Sequence, residues 1–379
     1  MKPKILIINS RWNSASSGVD GGSMTAMNII DALKGKAHID ILTSVDCVAS
    51  IPPKCYEHIH TYCLSNRDSY KDKFCLRKAI SCSVARKIKN LIAQYDKVII
   101  IHVFHAVFLH GHLSSAEYEK IVLFPMFLTP SYEMSNEEIP MWYKEQERVV
   151  LSEISHIITP SRFEKKQLVD CFHVNENFIT VVPRMVSHNF TRTTHTSVHS
   201  DGIVLSCISS FRRQKRVALS IDLIKRLRLQ GVDVQMFLVG SIQDKNEYRK
   251  FLDELNGLEL LNYIHHTECM SQTELNKLFS NVDFNVSFSL CETFGRAIVE
   301  SLYTGLPNII LDESGNMSEL IGRDHGAMFC SSVQDMADTI LMLSNNAKCY
   351  SDLGKQAFDF GTFFYGSKCK TILTEVILK

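Results

Sequence analysis

The sequence predicts an α/β protein with two parallel sheets, each in its own domain, joined by one polar stretch. Three observations predict it. Short apolar runs alternate with amphipathic stretches of helical length along most of the chain. The alternation stops once, over residues 186–202, which are polar, aperiodic and rich in Thr and Ser. A second series then opens at Ile203-Val204-Leu205-Ser206-Cys207-Ile208. A chain of 379 residues has room for two or three domains, each able to bury its own core.

In the first half, strands are predicted at Lys4–Asn9, Ile39–Thr43, Val98–Val103, Ile121–Phe124, Ile157–Thr159 and Ile179–Val182. Helices are predicted between them at Met24–Leu33, Lys78–Ala93, Glu145–Glu153 and Phe163–Cys171. In the second half, strands are predicted at Ile203–Ile208, Val234–Val239, Tyr263–His265, Phe284–Ser287 and Asn308–Leu311. Residues 333–345, 347–359 and 363–378 read as helices with no strand between them. This gives a first domain over 1–188, a linker over 189–202, a second domain over 203–357 and a trailing helical segment over 358–379.

Composition narrows the function. Apolar residues make up 45% and charged residues 22%, so the chain is an ordinary globular one. The 41 Lys and Arg balance the 41 Asp and Glu, and no global field recruits nucleic acid. No stretch reaches 18 apolar residues; the runs near 97–109 and 121–128 are broken by His102, His105 and Pro125. Ile5-Leu6-Ile7-Ile8 is too short for a signal peptide and reads as a buried strand, so a cytoplasmic protein is expected. The twelve cysteines contain no Cys-x-x-Cys pair, and free thiols are expected. The cluster His102, His105, His110 and His112 lacks metal-ligand spacing, and no metal site is expected.

In open α/β sheets ligands bind beyond the carboxyl ends of the strands, so the strand-to-helix turns are where chemistry is sought. The first ends Gly18-Val19-Asp20-Gly21-Gly22-Ser23. Its glycines suit phosphate approach at a helix terminus, or equally a plain turn with Ser23 as N-cap. It is not Gly-x-Gly-x-x-Gly. In the second domain, Ser209-Ser210-Phe211-Arg212-Arg213-Gln214-Lys215-Arg216 puts four cations in five positions at a strand end. Cations are disfavoured at a helix N-terminus unless an anion compensates them, which favours a diphosphate site. The segment from Ser289 through Cys291-Glu292-Thr293-Phe294-Gly295-Arg296 to Gly305-Leu306-Pro307 reads as a turn and a helix. Glu300 falls on an otherwise apolar helix, where a carboxylate is costly unless it binds something, and vicinal hydroxyls fit.

These residues resemble the family-4 retaining glycosyltransferases of the GT-B fold. The resemblance rests on the Glu-x7-Glu spacing of Glu292 and Glu300 followed by Gly305-Leu306-Pro307, with Lys215, Leu238-Val239-Gly240, Ser318-Glu319-Leu320-Ile321, Gly21-Gly22 and Ile158-Thr159-Pro160-Ser161. It implies two Rossmann-like domains facing each other across a cleft, with C-terminal helices trailing back toward the N-terminal domain. It also implies a nucleotide-sugar donor such as a UDP- or GDP-sugar, with no cofactor and no metal. No Asp stands two residues from another, so Asp-x-Asp is absent. By this resemblance Glu300 holds the ribose hydroxyls. Glu292, Thr293 and the amides of Phe294 and Gly295 hold the sugar, and Lys215 and an Arg hold the diphosphate. Gly21, Gly22 and Gly240 complete the donor site.

Two positions depart from the family. It commonly has Gly-Arg where this chain has Ser209-Ser210, so Arg212 is expected to supply the diphosphate arginine. The family often has a pocket His after a strand such as Ile121–Phe124; none is present, and His102 or His105 is expected to serve on the acceptor side, with His105 catalytic. Residues 54–97 carry ten cations against four acids, and Arg77–Ile92 is amphipathic. That segment either packs as an ordinary core helix or rests on the inner membrane surface near a lipid-linked acceptor. The expected activity is retaining hexosyl transfer to a saccharide, lipid-linked or free, in bacterial polysaccharide or lipopolysaccharide synthesis. A GT-B sugar-nucleotide epimerase and a non-catalytic nucleotide-sugar-binding subunit are the alternatives.

Overall fold

The computed structural model describes residues 2–10, 12, 21–52, 56–66, 69–186, 190–195, 197–313, 316–322, 325–364 and 367–379; of these, the side chains at 316, 367 and 368 are not described. The chain divides into two compact units, the first ending at Arg184 and taking back Cys369–Lys379, the second covering Met185–Lys368.

The first unit holds, among its described residues, a seven-stranded sheet in the order β3-β2-β1-β4-β5-β6-β7. The strands are β1 (Lys4–Ile8), β2 (His38–Ser44), β3 (His58–Tyr62), β4 (Lys97–Ile101), β5 (Ile121–Phe124), β6 (Ile157–Thr159) and β7 (Ile179–Val181). Every pairing is parallel. The crossover helices are α1 (Gly21–Leu33), α2 (Lys73–Leu91), α3 (Ser115–Tyr118), α4 (Thr129–Glu133), α5 (Met141–Glu153) and α6 (Arg162–Phe172). Alternation along each strand divides the core between the two faces. Leu6 and Ile8 of β1 join Val98 and Ile100 of β4 under α2, while Ile5 and Ile7 join Ile99 and Ile101 under α1. Asp72 starts α2 by accepting from the N–H groups of Phe74 and Cys75, each at 2.8 Å.

The second unit holds, among its described residues, a six-stranded sheet in the order β10-β9-β8-β11-β12-β13. Its strands are β8 (Ile203–Ile208), β9 (Val234–Val239), β10 (Ile264–Thr267), β11 (Phe284–Ser287), β12 (Asn308–Leu311) and β13 (Ala327–Cys330). Its helices are α7 (Leu219–Leu229), α8 (Lys245–Gly257), α9 (Gln272–Phe279), α10 (Arg296–Thr304), α11 (Asn316–Ile321), α12 (Val333–Ser344) and α13 (Ala347–Gly361). Ile221 and Ile224 of α7 and Met336 and Ile340 of α12 cover one face. Ile298 and Leu302 of α10 cover the other, with Ile310 of β12.

The last helix, α14 (Ser367–Leu378), packs on α1 of the first unit. Leu373 and Ile377 enter that core, Thr374 Oγ1 donates to Ala32 O at 3.0 Å, and Lys370 pairs with Asp31 at 2.8 Å. The stretch expected as a linker is bonded to the second unit over much of its described length. Thr193 N donates to Thr304 O at 2.8 Å, His199 N donates to Asp283 Oδ1 at 2.9 Å, and Phe190 is buried. Polar composition here reflects an extended segment whose backbone is satisfied by side chains and turns, not a free tether.

Two strands escape the sequence pattern, and two alternatives left open by it are decided. Strands β3 and β13 were not predicted, and α1 begins at Gly21, so Ser23 lies inside the helix and is not its N-cap. The apolar stripe of α2 is not available to lipid: Ile80, Val84 and Ile88 are buried against the sheet, so only the basic face is outward. No helix among the described residues is long and apolar enough to cross a membrane.

The first unit also buries two acids. Glu147 and Glu164 are both fully buried. Glu147 Oε2 accepts from Thr129 N at 3.1 Å, whereas neither carboxyl oxygen of Glu164 has a partner among the described residues. Burial pushes both up to about 7; Thr129 and Arg77 pull Glu147 down, and Arg184 pulls Glu164 down. The folded form therefore holds protons that the unfolded chain releases above its ordinary value of 4.5. The stability these acids contribute is full below that value and is lost as pH rises through about 7. For each the loss is about 3 kcal/mol. Denaturant unfolding from pH 5 to pH 8 should show this decline in the wild type and a flattened profile in Glu147→Gln/Glu164→Gln. Parallel profiles would contradict the assignment.

Candidate active site

The carboxyl ends of β8, β9, β11 and β12 gather most of the second unit's expected site residues. Gly240, just after β9, permits the closest approach. A Cβ there would lie 2.0 Å from Ser209 O, so only glycine lets the loop after β8 cross the end of β9. Gly240 N donates to Thr267 O at 3.0 Å, which ties in the end of β10.

The cationic segment does not open a helix directly. Residues Arg213–Lys215 form a 3-10 turn, Arg216 is left-handed at φ 46°, and α7 begins only at Leu219. Lys215 Nζ is ion-paired with Glu292 Oε1. Ser289 Oγ donates to the same carboxylate oxygen at 2.9 Å, and Leu290 N donates to Gln214 O at 2.9 Å. The loop after β8 and the turn after β11 are thus one assembly, because those two strands are sheet neighbours. Arg212, expected at the diphosphate, points its Nε to Gln243 Oε1 at 2.5 Å, toward the loop after β9. Arg216, to which the sequence reading gave no role, donates from Nε to Phe288 O at 2.8 Å and from Nη1 to Glu313 at 2.6 Å. Its signal in the sequence was only its place among four cations.

The turn ends at Gly295, whose φ of 66° starts α10. A Cβ there would meet Met317 Cε at 2.8 Å, so both the backbone conformation and the space call for glycine. Phe294 buries its ring against Phe364, and Thr293 is buried, which leaves main-chain groups to face a ligand at this terminus. Glu300 lies on α10 at 3% exposure, with Arg296 Nε 3.4 Å from Oε1. Burial pushes its carboxyl up from the ordinary value, while Arg296 pulls it down. The residue after it fixes the helix: Ser301 Oγ donates to Asn308 Oδ1 at 2.9 Å, and Asn285 Nδ2 donates to the same oxygen at 2.7 Å. This buried network joins α10 to β11 and β12 and sets where Glu300 stands.

In the first unit the expected residues behave differently. Gly21 and Gly22 lie in the first turn of α1, and a Cβ on Gly21 would meet Arg184 Nη1 at 3.2 Å. Gly18, Val19 and Asp20 of the same loop lie outside the described residues. His105 is fully buried, with Nδ1 against Ile101 O and Nε2 2.8 Å from Ser10 Oγ. Both ring nitrogens hold the loop after β4 together, so the catalytic role expected of His105 does not fit. His102 has φ 69° and stacks on Phe104 with ring centroids 5.2 Å apart.

Residues 193–360, which contain this whole second-unit site, match the model of the family described as glycosyl transferases group 1. This stretch is similar to that group. Two relatives of the glycosyl transferases match by sequence. One is a GDP-Man:Man(3)GlcNAc(2)-PP-Dol alpha-1,2-mannosyltransferase of Dictyostelium discoideum, 24% identical over 40% of this chain and 32% of the relative. The other is an MMP alpha-(1->4)-mannosyltransferase of Mycolicibacterium hassiacum, 24% identical over 48% of this chain and 43% of the relative. The match therefore spans less than half the length of either.

Solved structures match over nearly the whole chain. A sucrose-phosphate synthase from Thermosynechococcus elongatus gives a TM-score of 0.79 at 14% identity, covering 98% of this chain and 97% of its own. The HepE protein of Anabaena, in complex with UDP and glucose, gives 0.76 at 13% identity, covering 99% and 98%. WaaG, a glycosyltransferase involved in lipopolysaccharide biosynthesis, gives 0.74 at 12% identity, covering 98% of each. At such identities the likeness is one of fold: two Rossmann-like parallel-sheet units of the GT-B class.

Proposed function

We propose that the protein is a retaining glycosyltransferase that moves a sugar from a nucleoside-diphosphate sugar to a saccharide acceptor. The observation that carries this reading is the Lys215–Glu292 pair, set at adjacent strand ends beside the N-terminus of α10, with Glu300 buried on the same helix. Lys215 and the helix terminus form a positive site for a diphosphate. Glu292 accepts hydroxyls of the transferred sugar, and Glu300 accepts the ribose hydroxyls. As the glycosidic bond to the diphosphate breaks, negative charge grows on the leaving oxygen, and Lys215 stabilises it most there. The departing diphosphate takes the acceptor proton on the same face, which leaves the anomeric configuration unchanged. The Ser209-Ser210 departure removes the usual family arginine, and Arg216 reaches this turn through Phe288 O.

The fold neighbours include a complex with UDP and glucose, and one sequence relative is a GDP-mannose enzyme. Both support a nucleoside-diphosphate donor. A polysaccharide or lipopolysaccharide acceptor, free or lipid-linked, is part of the reading and is supported by the likeness to WaaG. The reading makes a donor complex without metal and a cytoplasmic enzyme. The test is turnover of a panel of UDP-, GDP- and ADP-sugars with saccharide acceptors, with the product anomer assigned by NMR. Release of nucleoside diphosphate with a retained anomer is expected. An inverted anomer would refute the retaining mechanism, and donor binding without transfer to any acceptor would favour the non-catalytic subunit.

A further inference from the structure

We infer that Arg216 is a positioning residue of the donor site. Its guanidinium ties the loops after β8, β11 and β12 into one frame, and that frame sets Lys215 and Glu292 for the diphosphate and the sugar. The inference rests on the glycosyltransferase reading above and adds to it a residue that acts through others.

The backbone is the first sign. Arg216 closes the turn Arg213–Lys215 at φ 46° and ψ 37°, with its N–H donating to Arg213 O at 3.2 Å. In this left-handed region a Cβ carries a cost that glycine avoids. A long cationic side chain kept there points to a role that offsets the strain, and its contacts supply one. Nε donates to Phe288 O at 2.8 Å, and Nη1 donates to Glu313 Oε2 at 2.6 Å. Nη2 is buried with no partner among the described residues, so stability alone does not account for the arrangement.

Where those contacts fall decides the role. Gln214, Lys215 and Arg216 are consecutive, and each holds a different residue of the turn after β11. Gln214 O accepts from Leu290 N at 2.9 Å, Lys215 pairs with Glu292, and Arg216 holds Phe288 O. The reversal of the chain at Arg216 lets three successive positions face one turn. Glu313 carries the tie to the third loop. It follows Asp312, whose carboxylate accepts from Met317 N at 3.2 Å and Ser318 N at 2.9 Å and so fixes the first turn of α11. Met317 is the side chain that a Cβ on Gly295 would meet at 2.8 Å. Arg216 is thereby linked to both ends of the turn between β11 and α10, to Phe288 directly and to Gly295 through Glu313 and α11. The two neighbouring cations also have separate carboxylates, Glu292 for Lys215 and Glu313 for Arg216.

The experiment compares wild type, Arg216→Gly, Glu313→Ala and the double variant on UDP-, GDP- and ADP-sugars with saccharide acceptors. Arg216→Gly should lower kcat roughly 10- to 100-fold, the loss that goes with misplacing reacting groups by about 1 Å, and raise the donor KM far less. Glycine relieves the left-handed backbone, so thermal unfolding should stay within about 3 °C of the wild type. Glu313→Ala should act in the same direction, and the double variant should fall no further than Arg216→Gly, since the glycine already removes both ties. An active wild type whose Arg216→Gly variant keeps its kcat, or loses it only in step with its folded fraction, would overturn the positioning role and leave the transferase reading standing. Multiplicative losses in the double variant would contradict the tie through Glu313. A wild type that transfers no sugar would instead overturn the reading on which the inference rests.

Discussion

Lys215→Ala lowers kcat/KM for sugar transfer by roughly 10²–10³-fold, the loss typical of removing one group that stabilises charge developing in the transition state. The effect is large because of what the lysine leaves behind. Lys215 is ion-paired with Glu292, and both side chains are four-fifths buried. Without the ammonium, a half-dry carboxylate faces the place where the diphosphate must sit, so repulsion adds to the lost attraction. Glu292→Ala loses activity by a comparable factor through the sugar hydroxyls. The double variant then falls far short of the product of the two losses, because residues in direct contact act as a unit. Steady-state kinetics of the four proteins check this; independent, multiplicative losses would show that the pair does not act on one substrate.

Glu300→Ala abolishes donor binding and leaves the fold intact. Each hydrogen bond to a charged group contributes about 1.5–3 kcal/mol, so losing two to vicinal hydroxyls costs roughly 100-fold or more in affinity. The fold survives because the carboxyl does little for the core. Burial raises its pKa, with Arg296 beside it in compensation, and α10 is held by Ser301, Asn285 and Asn308. Glu300→Gln keeps the volume and separates the loss of charge from any packing defect.

How far the sequence could be read depended on burial. Strands β8, β9, β11 and β12 were legible to the residue because strands covered on both faces read as short apolar runs. The edge strand β3, His-Ile-His-Thr-Tyr, was not, since Tyr62 alone is buried and three of its five residues are His or Thr. Edge strand β13, Ala-Met-Phe-Cys, was not read either; it is only half buried, with Met328 and Phe329 partly exposed. Glu300 was legible as a carboxylate on an apolar helix. The Lys215–Glu292 contact was not, because the two lie 77 residues apart and meet only through the adjacency of β8 and β11. His105 misled for the same reason: sequence does not distinguish a histidine that faces a ligand from one whose two nitrogens are already bonded to Ile101 and Ser10.

The central claim is that the second unit binds a nucleoside-diphosphate sugar through Glu300. Calorimetric titration of wild type and Glu300→Ala with UDP, GDP, ADP, CMP and NAD tests it most directly. The account predicts that one nucleoside diphosphate binds the wild type and is lost in the variant. Equal binding by both proteins, or binding of NAD alone, would contradict it.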